Sequence, residues 1–329
     1  VRHVLRYEDL VAGRRVVVRH RLPDGTASDA LGELVAVDDE RLVVATRRGE
    51  VVVARADVLA AKGVPPAPAR RTGTAISTDD LERVAAEHWR PAEREDLGDW
   101  RLRAAGGFTG RANSALAVGD PGCDLDAALE RVRAFYAARD LEAVVAAPTG
   151  PLTAELERRG WAVRTPTLVM TAPVPAPSPS VAVDPAVRLD SEPDDAWLAG
   201  YQNRGPVGEA GRRVLLSADE QVFASVRPST ANAGDDGGGG GEVLAVARGS
   251  LSRGGAGTWL GLSAVETAPE HRRRGLGLRL TGALLAWGAQ RGAGAAFLQV
   301  AASNDGARAL YERSGFAVHH EYRYLVAPG

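Results

Sequence analysis

Between residues 259 and 277 the chain carries residue types and spacing suited to holding a phosphorylated anion. The apolar run Trp259 to Thr267 reads as a buried strand. Leu276, Leu280, Leu284 and Trp287 then recur at helical spacing, with Gly292 placed as a C-cap. Between strand and helix lies Arg272-Arg273-Arg274-Gly275-Leu276-Gly277. Glycines let the backbone turn tightly and let a ligand approach. A helix start offers N–H groups with no intrahelical partner and the positive end of the helix dipole. Strand, glycine loop and helix start together make a pyrophosphate cradle, to which the arginines add charge. A second cluster follows: a strand-like Phe297 to Val300, then Asn304, then Leu310-Tyr311-Glu312-Arg313-Ser314-Gly315-Phe316.

The two clusters, in this order and spacing, resemble the GNAT acyl-CoA N-acyltransferases. The phosphate loop of that family is Arg/Gln-x-x-Gly-x-Gly/Ala, usually preceded by Val-x-Pro, where this chain has Thr267-Ala268-Pro269. The close resemblance covers roughly the last third of the chain. It implies a mixed α/β (α+β) GNAT fold and acetyl transfer from acetyl-CoA to an amine acceptor by direct attack, with no metal. The pyrophosphate would take N–H groups of about Arg273 to Leu278. The pantetheine arm would lie where the first strand, ending in Val265 and Thr267, splays from the strand of Phe297 to Val300. Asn304 would hydrogen-bond that arm, cap the next helix, or both. Tyr311 matches the tyrosine that protonates the departing thiolate.

The general base is left open. A lysine-like amine has a pKa near ~10.4, so a proton has to leave before attack. Many family members carry a Glu on the central strand for this, and this chain has Gly261 at the matching position. Glu266 is the alternative. Strict alternation puts it on the face of Leu260, Leu262 and Ala264, where it would act as base or tie down the arginine loop. A non-catalytic acyl-CoA sensor is the rival to the transferase; Gly261 favours it and Tyr311 opposes it.

The 329 residues allow two or three domains of ~100–200 residues each. A net charge of −2 argues against a general nucleic-acid binder. Lys62 is the only lysine, so arginine richness reflects overall composition more than function. The one cysteine, Cys123, excludes an intrachain disulfide and fits a reducing, cytoplasmic setting. Arg2, Arg6, Glu8 and Asp9 interrupt any leader-like apolar run, and no run approaches membrane-spanning length, so no membrane contact is expected. No cysteine or histidine cluster has zinc spacing. His319 and His320, adjacent on a strand, should point to opposite faces.

Residues 1–62 read as a small SH3-like β-barrel. Valine-rich runs (Arg15 to Leu22, Leu31 to Asp38, Arg41 to Arg47, Val51 to Arg55) are separated by Pro23-Asp24-Gly25, Asp38-Asp39 and Arg48-Gly49. Such a barrel serves as a docking or homodimerisation module, with peptide or nucleic-acid reading as the minority alternative. Residues 63–76 and 175–185 read as linkers rich in proline. Residues 186–329 form the catalytic GNAT domain, with Gly234 to Gly241 a flexible hairpin tip.

Residues 77–174 read as a degenerate GNAT-like lobe. Glu155 to Val163 aligns without gaps on the helix–Gly–aromatic pattern that runs through Leu310 to Val318. Leu156 stands where Tyr311 stands, and Gly119-Asp120-Pro121-Gly122-Cys123-Asp124 replaces the arginine loop, so this lobe is expected to be inactive. It would wall the acceptor cleft, with Trp100, Arg111 and Asn113 as acceptor contacts.

Overall fold

The computed structural model describes residues 10, 12–13, 15–46, 49–63, 76–176, 184–201, 206–228, 243–254 and 257–329. Most of both expected linkers and the whole Gly234–Gly241 tip lie outside the described residues. The chain divides into two compact units, Val1–Arg71 and Thr72–Gly329.

The first unit is one antiparallel sheet. Its strands β1 (Arg15–Arg21), β2 (Ala27–Val37), β3 (Arg41–Thr46), β4 (Gly49–Ala54) and β5 (Val58–Gly63) pair in the order β4-β3-β2-β1-β5. Alternation puts Val16, Val18, Leu34, Leu42, Val44 and Val53 into its core. The sequence does not announce β5, which contains Ala60, Ala61 and Gly63. Tertiary pairing with β1 makes it a strand where propensity does not.

The second unit opens with α1 (Thr78–Ala86), whose N-cap Ser77 accepts from the Asp80 amide. Then come β6 (Glu93–Leu97), β7 (Trp100–Ala104), β8 (Ala115–Leu116), α2 (Leu125–Ala137), β9 (Val144–Pro148), α3 (Pro151–Arg158) and β10 (Ala162–Pro173). The second half holds β11 (Val187–Asp190), α4 (Asp195–Gly200), α5 (Glu209–Leu215), β12 (Glu220–Val226), β13 (Ala245–Gly254) and β14 (Gly257–Thr267). It ends with α6 (Leu276–Gln290), β15 (Ala295–Ala301), α7 (Asp305–Arg313) and β16 (Ala317–Val326).

The strand order explains the weak sequence repeat. It runs β11-β12-β13-β14-β15-β10-β16-β9-β8-β7-β6. In each half a parallel pair is joined by a helix: β8 and β9 through α2, β14 and β15 through α6. The final strands are exchanged. β10 pairs with β15 of the second half, and β16 pairs with β9 of the first. Two GNAT-like lobes therefore share one sheet. The repeat extends to single hydrogen bonds: Trp161 N–H donates to Leu156 O at 3.0 Å, and Phe316 N–H to Tyr311 O at 2.9 Å.

The lobes differ at the helix that would meet a pyrophosphate. Asp124 caps α2, its carboxylate accepting from the Ala127 amide at 2.9 Å. α6 begins after Gly275, which has no side chain to offer. The first lobe thus covers its own anion-binding end with a carboxylate, and the second leaves its end open.

Candidate active site

The open end of α6 is shaped by backbone conformation. Gly275 sits at φ +79°, and a Cβ built there meets nothing within 4 Å. Glycine is needed for the left-handed turn and leaves space in front of the Leu276, Gly277 and Leu278 amides. Arg279 N–H is the first to close the helix, donating to Gly275 O at 3.1 Å. Arg273 is also left-handed, at φ 63°, a strained state for a non-glycine residue. Arg272 Nε donates to Thr267 O at 3.2 Å, tying the loop to the strand it leaves. All three arginines are exposed. Gly277 has a second duty: a Cβ there would lie 2.7 Å from Leu310 Cδ1, so it lets α7 pack on α6.

Upstream, β14 opens a wedge. It pairs with β15 only from Trp259–Ala295 to Leu262–Leu298; beyond Leu262 the two part. On its other edge the ladder with β13 slips. Ser263 faces Arg248 and Glu266 faces Val246, so Ala264 and Val265 stand opposite Ala247 alone. Ala264 takes φ 51° to make this bulge, which re-aims the backbone at the mouth of the wedge.

The bulge corrects the expected placement of Glu266. One extra residue inverts alternation, so Glu266 shares a face with Gly261, Ser263 and Arg248, opposite to that of Leu260 and Leu262. Thr267 takes the Leu260 side, paired with Ala245, and Val265 packs on the α6 core. A second bulge corrects the histidine pair. β16 carries an extra residue at His319, which brings His319 Nδ1 within 2.8 Å of His320 Nδ1. Their outer nitrogens meet Ile76 O and Glu82 Oε1, and among the described residues no three His, Cys, Asp or Glu side chains are grouped to hold a metal.

Tyr311 lies in the core beside α6, edge-on to Phe316, with 8% of its surface exposed. Burial pushes its phenol up to about 12, which keeps it protonated at neutral pH and able to donate. Asn304 is the N-cap of α7; its Oδ1 accepts from the Ala307 amide at 3.1 Å.

Nothing in the sequence signals what fills the space above Gly261. A Cβ there would lie 2.4 Å from His88 Cε1 and Nδ1. The imidazole, delivered just past α1, occupies the place where a side chain on the central strand would project. Its Nε2 stands 3.3 Å from Ser263 Oγ, and Ser250 Oγ contacts Nδ1. His88 is 1% exposed, and its pKa falls well below the usual histidine value through desolvation, then the charges of Arg248 and Arg111. It is a neutral imidazole at pH 7. Only an isolated glycine at a position expecting carboxylate, and one histidine in a helical segment far upstream, were visible in sequence.

Of the three residues expected at the acceptor, the structure brings Arg111 to the cleft and leaves Trp100 packed elsewhere. Trp100 is in the first lobe's core, its Nε1 donating to Gly119 O at 3.2 Å. Asn113 Oδ1 accepts from the Ala105 and Gly107 amides. Arg111 lines a cavity with Glu82, Arg103, Gln299, Tyr322 and Tyr324.

An eleven-stranded sheet with two α/β lobes, a splayed parallel pair and an open helix start is the architecture of a tandem GCN5-related N-acetyltransferase. The fold is similar to a GCN5-related N-acetyltransferase from Kribbella flavida, with a TM-score of 0.53 and 18% identity over 77% of this chain and 97% of that one. It is also similar to a tandem GNAT protein from the clavulanic acid biosynthesis pathway, at TM-score 0.50 and 14% identity, covering 76% and 88%. Residues 76–325 match the family described as "Probable histone acetyltransferase Rv0428c C-terminal", and residues 10–62 match "Rv0428c N-terminal Sm-like domain". The curated protein "Probable histone acetyltransferase Rv0428c" of Mycobacterium tuberculosis (strain ATCC 25618 / H37Rv) is 34% identical over 328 residues, 96% of this chain and 95% of that one. The chain belongs to this Rv0428c family. Among the described residues, no helix is long and apolar enough to cross a membrane.

Proposed function

We propose that the chain moves an acetyl group from acetyl-CoA to an amine by direct attack, and that residues 186–329 do the chemistry while residues 77–174 wall the acceptor side. The observation that carries this reading is the contrast between lobes: α6 starts at an open left-handed glycine beside a strand wedge, whereas α2 is closed by Asp124. The cradle would take the pyrophosphate on the Leu276, Gly277 and Leu278 amides, with Arg273 and Arg274 adding charge. Val265, Thr267 and Asn304 would border the pantetheine arm, and N–H groups at the Ala264–Val265 bulge would face the carbonyl oxygen as it gains charge.

Tyr311 is the proton donor to the leaving thiolate. The proton on the attacking ammonium passes to Ser263 Oγ while Ser263 gives its own to His88 Nε2. His88 thus stands in for the carboxylate that Gly261 lacks, and Glu266 is the second acceptor on that face. The amine pair then forms the C–N bond, the C–S pair leaves on sulfur, and sulfur takes the Tyr311 proton. The remaining extra proton on nitrogen restores Tyr311 through solvent, and the His88 proton is released, so one proton leaves per acetyl transferred. The family relative's name points to a protein amine, and a small-molecule amine fits the same chemistry.

The test is calorimetric titration with acetyl-CoA, followed by thiol release against amines and peptides. Binding with amine-dependent release is expected. Binding without release from any acceptor would favour an acyl-CoA sensor, and absence of binding would sink the cradle.

A further inference from the structure

Two arginines, Arg103 and Arg111, line the cleft under α1, and a third, Arg248, is buried close by against the Trp89 ring that Arg111 also covers. Arg103 is 5% exposed, Arg248 is fully buried, and Arg111 is partly buried. Among the described residues none of the three has a carboxylate within ion-pair distance. Several arginines elsewhere in this unit do: Arg90 with Asp219, Arg279 with Asp184, Arg227 with Asp194. The one acidic side chain lining the cleft, Glu82, is held by His320 at 2.8 Å.

Each of the three is oriented by neutral groups. Arg103 gives Nε and one terminal nitrogen to Ser114 O and Oγ, both at 2.9 Å. Arg248 donates to Leu215 O at 2.8 Å and His88 O at 3.1 Å, and its other terminal nitrogen is buried with no partner. Arg111 gives Nε to the Gln299 amide oxygen. Arg248 and Arg111 both lie over the Trp89 ring, 4.9 and 5.6 Å from its centroid. Burying a cation without a counter-ion is costly, and desolvation brings Arg248 down to about 9. Such an arrangement persists where a ligand supplies the missing charge.

We infer that this cleft binds the carboxylate of the acceptor, so that the substrate is an amine carrying its own carboxylate, as an amino acid does. The inference rests on the acetyl-transfer reading only for the role of the bound amine, not for the anion site itself. Arg111 and Arg103 line the cavity from the first lobe, and Gln299 lines it from β15, one of the two wedge strands. Arg111 presents a planar fork toward a carboxylate once Gln299 yields. The cavity measures about 10 Å³, so a carboxylate enters only as the Arg111–Gln299 contact opens. His88 lies just past the end of α1, the helix whose Glu82, Ala85 and Ala86 line the cavity. A lysine-rich tail, a polycation, is the acceptor least suited to a cavity lined by two arginines without carboxylate partners.

The experiment has two arms on the full chain. Thiol release is measured with leucine, leucinamide and isoamylamine, and with a lysine-rich peptide. Calorimetry measures succinate, a dicarboxylate that cannot be acetylated. The expected result is a kcat/KM for leucine roughly 10- to 100-fold above its two carboxylate-free partners. Arg111→Gln should remove that gap and the succinate heat, while Arg111→Lys keeps part of both. An unchanged acetyl-CoA Kd certifies that the variants are folded. Equal rates for all three amines, or peptide acetylation indifferent to Arg111→Gln with no succinate heat, would overturn the inference and leave acetyl transfer standing. Succinate binding lost in Arg111→Gln, with no thiol release from any amine, would leave the anion site standing and remove the transferase.

Discussion

The two ends of α6 offer a matched pair of perturbations. Gly275 and Gly292 both sit at φ +79°, and a Cβ at either position meets nothing within 4 Å. Gly292 ends the helix: its N–H donates to Ala289 O at 3.1 Å and that of Ala293 to Gly288 O at 2.9 Å, a Schellman motif. Replacing either glycine with alanine forces an L-residue into the left-handed region and creates no clash. Each variant should therefore lose about 1–2 kcal/mol of stability. At about 2–4 °C per kcal/mol for a unit of this size, the two melting curves should shift down together by several degrees. The Gly275 methyl, unlike that of Gly292, stands at the helix start whose Leu276 to Leu278 amides are proposed to take the pyrophosphate. Gly275→Ala should weaken acetyl-CoA by roughly tenfold, about 1.4 kcal/mol, and Gly292→Ala should leave its Kd unchanged. The assay is thermal unfolding of both variants, then calorimetric titration well below either midpoint. Equal melting shifts with equal acetyl-CoA affinities would refute the placement of the cradle, because the shared strain cancels and only ligand approach differs.

Other outcomes follow from groups already placed. Tyr311→Phe keeps the ring that packs on Phe316 and removes the proton donor, so kcat should fall by about 10²–10⁴ with acetyl-CoA Kd retained. The same residue has a folded pKa raised to about 12, so its contribution to stability is complete below pH 10 and lost as pH climbs to 12. Tyr311→Phe should blunt that alkaline loss in a pH series of denaturant midpoints. His88 shifts the other way: its lowered pKa means stability holds above about 6.5 and declines as pH falls below it, because the unfolded chain binds the proton first. His88→Gln should flatten this acid limb. Gly261→Ala should cost about 1–3 kcal/mol through contact with His88 and Phe297, and Gly261→Glu combined with His88→Ala should recover turnover that His88→Ala alone loses. Failure of that double variant to recover, with acetyl-CoA binding intact, would remove His88 from the proton path.

What the sequence made legible is what local physics decides. The α6 helix, its capping glycines, the Asn304 cap and the helix–Gly–aromatic repeat each depend on a few neighbouring residues, and each stands where spacing put it. The GNAT resemblance is borne out by the fold and by family membership, and the small N-terminal barrel by the Sm-like match. Bulges defeated the face assignments. An extra residue at Ala264–Val265 turned Glu266 over, and another at His319 brought two imidazoles together; a bulge is set by the partner strand, which a single segment does not reveal. The strand exchange was hidden for the same reason, since β10 and β16 carry no mark of which lobe they will join. Its consequence is functional. Pairing β10 with β15 and β16 with β9 makes the two lobes one sheet, and only then do α1 and the segment around Arg111 cover the β14–β15 wedge. His88, on the turn after α1, fills the space above Gly261. On the proposed mechanism both halves surround His88, Arg111 from the first and Arg248 from β13 of the second, so separating them should abolish turnover even with the cradle and Tyr311 untouched.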